Sequence, residues 1–210
     1  MQTKKPVMLK ITGTDAPDIP ERLVSLLNAG GLVVIPTDTV YGVAAHPGIP
    51  EAVNRLYSAK GRDRDKAVPL LVSDAGVLEK MGVVLSDTGQ KLAKAFWPGP
   101  LTLVARAGGV QEGFRVPDLR WVRMLLRTAG GALRASSANR SGEEPAVSAE
   151  EAMGSIGRSV DAVVDGGTCA ARVPSTVVRV DGTRVSVLRE GALSAEDLER
   201  ALARAGDVVQ

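Results

Sequence analysis

The chain has 210 residues, 44% of them hydrophobic, which is enough apolar material for a core of its own. Its formal net charge of +2 excludes an argument for nucleic-acid binding from bulk electrostatics, so any basic surface has to be local. A lone cysteine, Cys169, excludes an internal disulfide and a cysteine-built zinc site, and no window approaches the roughly 18 apolar residues of a membrane-spanning helix. The opening MQTKKPVMLKITG has neither a long apolar core nor a small-residue cleavage site. The expectation is a cytoplasmic chain, with no membrane partner and a single domain over residues 1–210.

In chain order, Val7 to Ile11 reads as a first strand. Asp18, with Glu21 three residues on and Pro20 in the first turn, marks a helix start, and that helix runs to Gly30. Leu32 to Pro36 is apolar without interruption and reads as a strand buried on both faces. It delivers Thr37, Asp38, Thr39 and Tyr41 at its carboxyl end, the edge at which open α/β sheets bind ligands. Pro50 opens a helix with Val53, Leu56 and Tyr57 on one face, which ends where KGRDRDK begins. Val68 to Val72 is a short strand, and Asp74 and Ser86 are candidate caps for two further helices. WPGP, Trp97 to Pro100, stops the second of these and leads into the strand LTLVAR. Arg115 to Pro117 reads as a short extended piece, and Asp118 as the cap of a helix that reaches Gly130 and Gly131. ALRASSAN is again a strand with polar groups at its carboxyl end. Ser148 and Glu151 form a capping box, Asp161 to Asp165 a strand, and STVVRV, Asp181-Gly182 and RVSVLRE a hairpin; Ser194 caps the last helix. Strands alternating with helices, closed by one hairpin, predict an α/β domain with a mixed sheet.

Each polar cluster has a plain reading beside a functional one. PTDTVYG is a strand-ending turn or part of a site. KGRDRDK is a solvated loop of alternating charge, or a segment in which Lys60 and Arg62, separated by Gly61, reach one polyanion. SSANRSG is a polar loop, or a set of hydroxyl and amide groups for a nucleotide's phosphates or sugar. Pro174 to Thr176 and Arg189, at the two ends of the terminal hairpin, cap it or serve a ligand. There is no P-loop and no dinucleotide fingerprint. His46, the only histidine, sits beside Pro47 as a surface residue, and nothing supports metal ligation by side chains.

Taken in order, PTDTVYG, KGR followed by Pro69-Leu70, WPGPLT, RVP at Arg115 to Pro117, SSANRSG, DGG at Asp165 to Gly167, PSTVV and LREG resemble the Sua5/YrdC/YciO family over nearly the whole chain. The pattern is most similar to the short, single-domain L-threonylcarbamoyladenylate synthases. The resemblance implies a twisted open mixed sheet with flanking helices and a concave basic groove. It implies a nucleotidyltransferase that turns L-threonine, bicarbonate and ATP, with Mg²⁺ brought in by the nucleotide, into threonylcarbamoyl-adenylate and pyrophosphate. A tRNA-modifying threonylcarbamoyl transferase complex is the implied downstream partner, with tRNA itself a candidate. By matching positions, Lys60 and Arg62 are the pair on the ATP phosphates and the catalytic candidates. Ser137, Asn139 and Arg189 complete the nucleotide set, and Thr39, Arg115 and Ser175 hold threonine, with Arg115 on its carboxylate. The chain departs from the family pattern at Ser73, where several members have histidine, and in a longer segment between Arg62 and Pro69. Two alternatives stay open: a carbamoyl-transfer relative with another acceptor, and an RNA-binding module that uses Arg120, Arg123 and Arg127, spaced as a stripe on one helix, unless these form a solvated face opposite Leu119, Val122, Leu125 and Leu126.

Overall fold

The computed structural model describes residues 6–11 and 19–206; Asp18, the expected cap of the first helix, lies outside them. In chain order the elements are β1 (Val7–Lys10), α1 (Glu21–Asn28), β2 (Val33–Ile35), β3 (Gly42–Ala45), α2 (Pro50–Lys60), β4 (Leu70–Val72), α3 (Gly76–Lys80), α4 (Asp87–Phe96), β5 (Leu101–Ala107), β6 (Val110–Arg115), α5 (Arg120–Thr128), β7 (Ala132–Ser137), α6 (Ala149–Ile156), β8 (Ala162–Asp165), β9 (Thr176–Asp181), β10 (Arg184–Arg189) and α7 (Ala195–Gly206). The strands form one mixed sheet in the order β1-β8-β2-β3-β7-β4-β6-β5-β9-β10. Among the described residues, no helix is long and apolar enough to cross a membrane.

The uninterrupted apolar run around β2 has the explanation expected of it. Leu32 and Val34 pack with Leu56 of α2 and Ile156 of α6 on one face of the sheet, while Val33 and Ile35 pack with Leu23 of α1 and Leu125 of α5 on the other. A strand covered on both sides has no solvent face and so needs no polar alternation. Each such fully buried aliphatic side chain contributes about 1.5–3 kcal/mol relative to leaving it in water.

Two hairpins escape the sequence reading, and both shape the site. β3 returns antiparallel beside β2, pairing Val34 with Val43, so Pro36 to Tyr41 is a turn between neighbouring strands. GVAA is short, small and fully buried, so it carries no period-2 signal. β5 and β6 likewise form a hairpin, turning at Gly108 and Gly109 with φ of 56° and 89°, a region open to glycine. Arg115 therefore ends a paired strand; it is not on a loose extended piece.

Three serines cap helices as expected: Ser86 Oγ accepts from the Gly89 N–H, Ser148 Oγ from Glu151 and Ser194 Oγ from Asp197. Two aspartates do not. The Asp74 carboxylate takes the Ser73 hydroxyl at 2.9 Å and α3 begins only after Ala75. The Asp118 carboxylate is claimed by Arg123 at 3.2 Å, leaving Leu119 at the start of α5 without a side-chain cap. On α2 the fully buried positions are Ala52, Leu56 and Lys60, with Val53 and Tyr57 at the flanks.

Candidate active site

Register brings the scattered motifs together. Gly42 pairs with Ser137 across β3 and β7, Leu71 with Arg115 across β4 and β6, and Leu101 with Thr176 across β5 and β9. The ends of these strands enclose a cavity of about 130 Å³. The β2–β3 turn contributes Thr37 and Thr39, β6 contributes Arg115, the segment after α2 contributes Arg62, and β7 contributes Ser137. Thr102, Ser175 and Arg189 complete it, and among the described residues no carboxylate lines it.

Arg115 is 6% exposed and has three protein acceptors. Its Nε–H donates to the Gly99 carbonyl at 3.0 Å, Nη1 to Thr39 Oγ1 at 2.8 Å and Nη2 to Asp38 Oδ1 at 2.6 Å. Burial pulls its affinity for the proton down and the adjacent Asp38 carboxylate restores part of it. The hydroxyl protons near it have one consistent order. Thr37 donates its single proton to the Val40 carbonyl at 2.7 Å, so at 2.9 Å the Thr39 hydroxyl must donate to Thr37. Thr39 is thereby left to accept from Arg115.

Arg62, which also lines the cavity, is held by donating to the Lys66 and Ala67 carbonyls at 2.8 and 3.0 Å. Lys60 is placed differently from the loop charge its motif suggests. Only 2% exposed, it donates from Nζ to the carbonyls of Ser137 and Asn139 and does not line the cavity. Burial, with the nearby Arg62 cation second, brings its pKa down to about 8. Its own carbonyl accepts from the Ser141 N–H at 2.8 Å, so both ends of Lys60 hold the SSANRSG loop. Asn139 is also set back: its Nδ2 donates to the Arg140 and Glu143 carbonyls, and its buried Oδ1 has no partner. Of the nucleotide set, Arg62, Ser137 and Arg189 reach the cavity; Lys60 and Asn139 stand behind it.

Ser175, of the threonine set, shares a 2.8 Å hydroxyl–hydroxyl hydrogen bond with Thr102. Thr102 falls in WPGPLT but drew no role from the sequence; its position between two core residues, Leu101 and Leu103, puts it on the opposite face of β5 and was the available signal. Arg189 Nη2 donates to the Ser175 carbonyl at 2.6 Å, and partial desolvation, then Arg115 and Arg62, lower its pKa. Gly191 is required here, because a Cβ would lie 2.2 Å from the Pro174 carbonyl oxygen. Tyr41 closes the back of the turn by donating to the Gly167 carbonyl at 2.6 Å and accepting the Gly166 N–H at 3.1 Å. Its burial pushes the phenol up to about 12.

A larger hollow of about 680 Å³ lies elsewhere, between α3, α4 and α5, and is lined mainly by apolar groups such as Leu78, Val83 and Trp97. Ser73, the departure from the family pattern, lines that hollow and not the polar cavity. The arginine stripe left open as an alternative is partly spent: Arg123 donates to the Pro117 carbonyl and pairs with Asp118, and Arg127 lies 3.7 Å from Asp74. Behind it Trp121, Val122, Leu125 and Leu126 are fully buried, the pattern of a solvated face on a packed helix. Among the described residues, no group of three or more His, Cys, Asp or Glu side chains is placed to hold a metal ion.

Comparison with known proteins bears on this arrangement. A Mycobacterium tuberculosis relative, named provisionally as a threonylcarbamoyl-AMP synthase, is 36% identical over 196 residues, covering 85% of this chain and 87% of that one. The threonylcarbamoyl-AMP synthase of Bacillus subtilis is 32% identical over 197 residues, covering 89% of this chain and 57% of its own. Among solved structures, P. abyssi Sua5 complexed with L-threonine superposes with a TM-score of 0.83 at 27% identity, over 94% of this chain and 61% of that one. The chain thus spans less than two thirds of the length of these last two. E. coli YciO shares the fold, with a TM-score of 0.80 at 22% identity over 92% of this chain and 99% of that one. The Sua5_yciO_yrdC family model, described as "Telomere recombination", matches residues 25–191, a span that contains every residue of the cavity, and on that match the chain belongs to the Sua5/YciO/YrdC family.

Proposed function

We propose that the chain is a threonylcarbamoyl-AMP synthase, joining L-threonine, bicarbonate and ATP into threonylcarbamoyl-AMP and pyrophosphate for the threonylcarbamoyladenosine modification of tRNA. One observation carries the reading: a single cavity gathers Thr39, Arg115 and Ser175 with Arg62, Ser137 and Arg189, and among the described residues no carboxylate lies in its wall. Arg62 and Arg189 have no acidic partner among the described residues, so the cavity keeps cationic charge for an anionic ligand. The names of the relatives, and the L-threonine complex of a structural relative, support the choice of substrates.

The threonine carboxylate takes the N–H groups of Arg115 that the protein leaves free, with Thr39 and Ser175 beside it. The amine attacks the carbon of bicarbonate and water leaves. A carbamate oxygen then attacks the α-phosphorus of ATP; the new O–P bond forms as the bond to pyrophosphate breaks. Mg²⁺ enters as part of the substrate MgATP, and Arg62 and Arg189 meet the charge that develops on the leaving pyrophosphate. Lys60 and Asn139 shape the loop that presents Ser137. Holding the short-lived carbamate against the phosphorus supplies most of the rate. A labile adenylate needs an acceptor enzyme close by, in keeping with a cytoplasmic tRNA-modifying transferase partner.

Pyrophosphate release with mass spectrometry of the adenylate tests this. Product is expected only when threonine, bicarbonate, ATP and Mg²⁺ are all present. Equal release without threonine or without bicarbonate would contradict the assignment.

A further inference from the structure

Asp38 belongs to the turn that carries Thr39, yet it lines no part of the polar cavity. It stands behind Arg115, with its other side on a second hollow of about 350 Å³ that also reaches Thr37 and Cys169. Its Oδ1 accepts from Arg115 Nη2 at 2.6 Å and from the Asp118 backbone N–H at 3.1 Å. The pair is well shielded, with side chains 7% and 14% exposed for Arg115 and Asp38.

A guanidinium has five N–H groups. Gly99 takes the one on Nε, Thr39 one on Nη1 and Asp38 one on Nη2. One remains on each Nη, the number a carboxylate needs for two parallel hydrogen bonds. Of the three protein acceptors only Asp38 is charged. Without it, Arg115 would keep two neutral acceptors and bring an uncompensated cation into a wall that already contains Arg62 and Arg189.

We infer that Asp38 is a positioning residue for the amino-acid end of the cavity: it fixes the Arg115 guanidinium and cancels its charge, so that the ligand is selected by fit to two N–H groups and not by negative charge alone. The inference rests on the reading that Arg115 receives the threonine carboxylate. A freed, uncompensated Arg115 would hold any small anion, whereas a fixed and neutralised one favours a carboxylate whose remaining groups suit Thr39 and Ser175.

The test uses the full chain with Asp38→Ala and Asp38→Asn. Asparagine keeps an acceptor oxygen for the Asp118 N–H and so preserves the local fold if alanine does not. Threonine binding without nucleotide, by calorimetry, is measured beside the KM values for threonine and ATP and the inhibition constant of acetate. In Asp38→Ala, threonine affinity is expected to fall about tenfold to a hundredfold, as for loss of a charge-assisted hydrogen bond, with the KM for ATP within about twofold of wild type. The ratio of the acetate inhibition constant to the threonine KM falls as well, which a purely structural role would not cause. Asp38→Asn moves the same quantities in the same direction by less. Wild-type threonine affinity and acetate ratio in both folded variants would overturn the inference, as would equal losses for threonine and ATP. Failure of wild-type protein to bind threonine would overturn the assignment of the site, and the inference with it.

Discussion

Replacing Lys60 by methionine exposes what that residue does. The variant removes the donors to two carbonyls, Ser137 and Asn139, in a site that is 2% exposed. Each buried carbonyl left without a partner costs about 1–3 kcal/mol. Against that, wild type carries the penalty of a buried ammonium at neutral pH: the drop from 10.5 to about 8 corresponds to about 3 kcal/mol. The two carbonyls together cost about 2–6 kcal/mol, so near pH 7 the variant should lie between about 1 kcal/mol more stable and about 3 kcal/mol less stable than wild type. Between pH 8 and 10.5 the folded wild type has released the Lys60 proton while the unfolded chain still binds it, so wild-type stability rises with pH through that window. The neutral amine keeps two N–H groups, enough for its two carbonyls. Methionine cannot titrate, so the deficit should grow by up to about 3 kcal/mol between pH 7 and 10. Urea denaturation of both proteins at pH 7, 8.5 and 10 gives that difference, with the other titrating groups common to both. A deficit independent of pH would refute the buried, partly deprotonated lysine.

Arg62→Ala should behave in the opposite way. Its protein partners are carbonyls at an exposed edge, so the midpoint of thermal unfolding should barely move while ATP affinity by calorimetry falls at least about tenfold. Gly191→Ala places a Cβ 2.2 Å from the Pro174 oxygen and must push the Pro174–Ser175 strand entry away. A loss of about 1–3 kcal/mol in urea unfolding, together with weaker threonine binding, is expected. A triple Arg120, Arg123 and Arg127 alanine variant should leave the salt dependence of any tRNA binding unchanged, because Arg123 and Arg127 already face Asp118 and Asp74; a slope shallower by about three times the single-contact value would restore the stripe as an RNA contact.

How far the sequence reveals this molecule depends on whether a feature is local. The buried β2 is legible because a strand covered on both faces must be apolar throughout, and the last hairpin because a glycine marks its turn, although the turn is Gly182-Thr183, one residue later than the Asp181-Gly182 expected: Asp181 still pairs with Arg184, and Gly182 takes a φ of 62°. The serine caps are equally local. β3 is not legible, since four small residues buried on both faces leave no period to read, and β6 is hidden because a Gly-Gly turn serves a hairpin or a loop equally well. Lys60 was within reach: Ala52, Leu56 and Lys60 recur at four-residue spacing, which puts the lysine on the buried face of α2. The motif order places six of the eight expected side chains around one cavity, but the partnership of Asp38 with Arg115 spans 77 residues and depends on strand register. Nothing in the one-dimensional pattern says which acid stands behind which arginine.

On the proposed function, one cavity holds the amino acid at Arg115 and the nucleotide at Arg62 and Arg189. The most direct measurement is threonine-dependent pyrophosphate release by wild type and Arg115→Ala, with ATP affinity determined for both. The expected result is a wild type that releases pyrophosphate only with threonine and bicarbonate, and a variant that still binds ATP within about twofold yet loses threonine-dependent turnover by at least about a hundredfold. Turnover and threonine dependence unchanged in Arg115→Ala would contradict the account, as would a variant that loses ATP binding along with its activity.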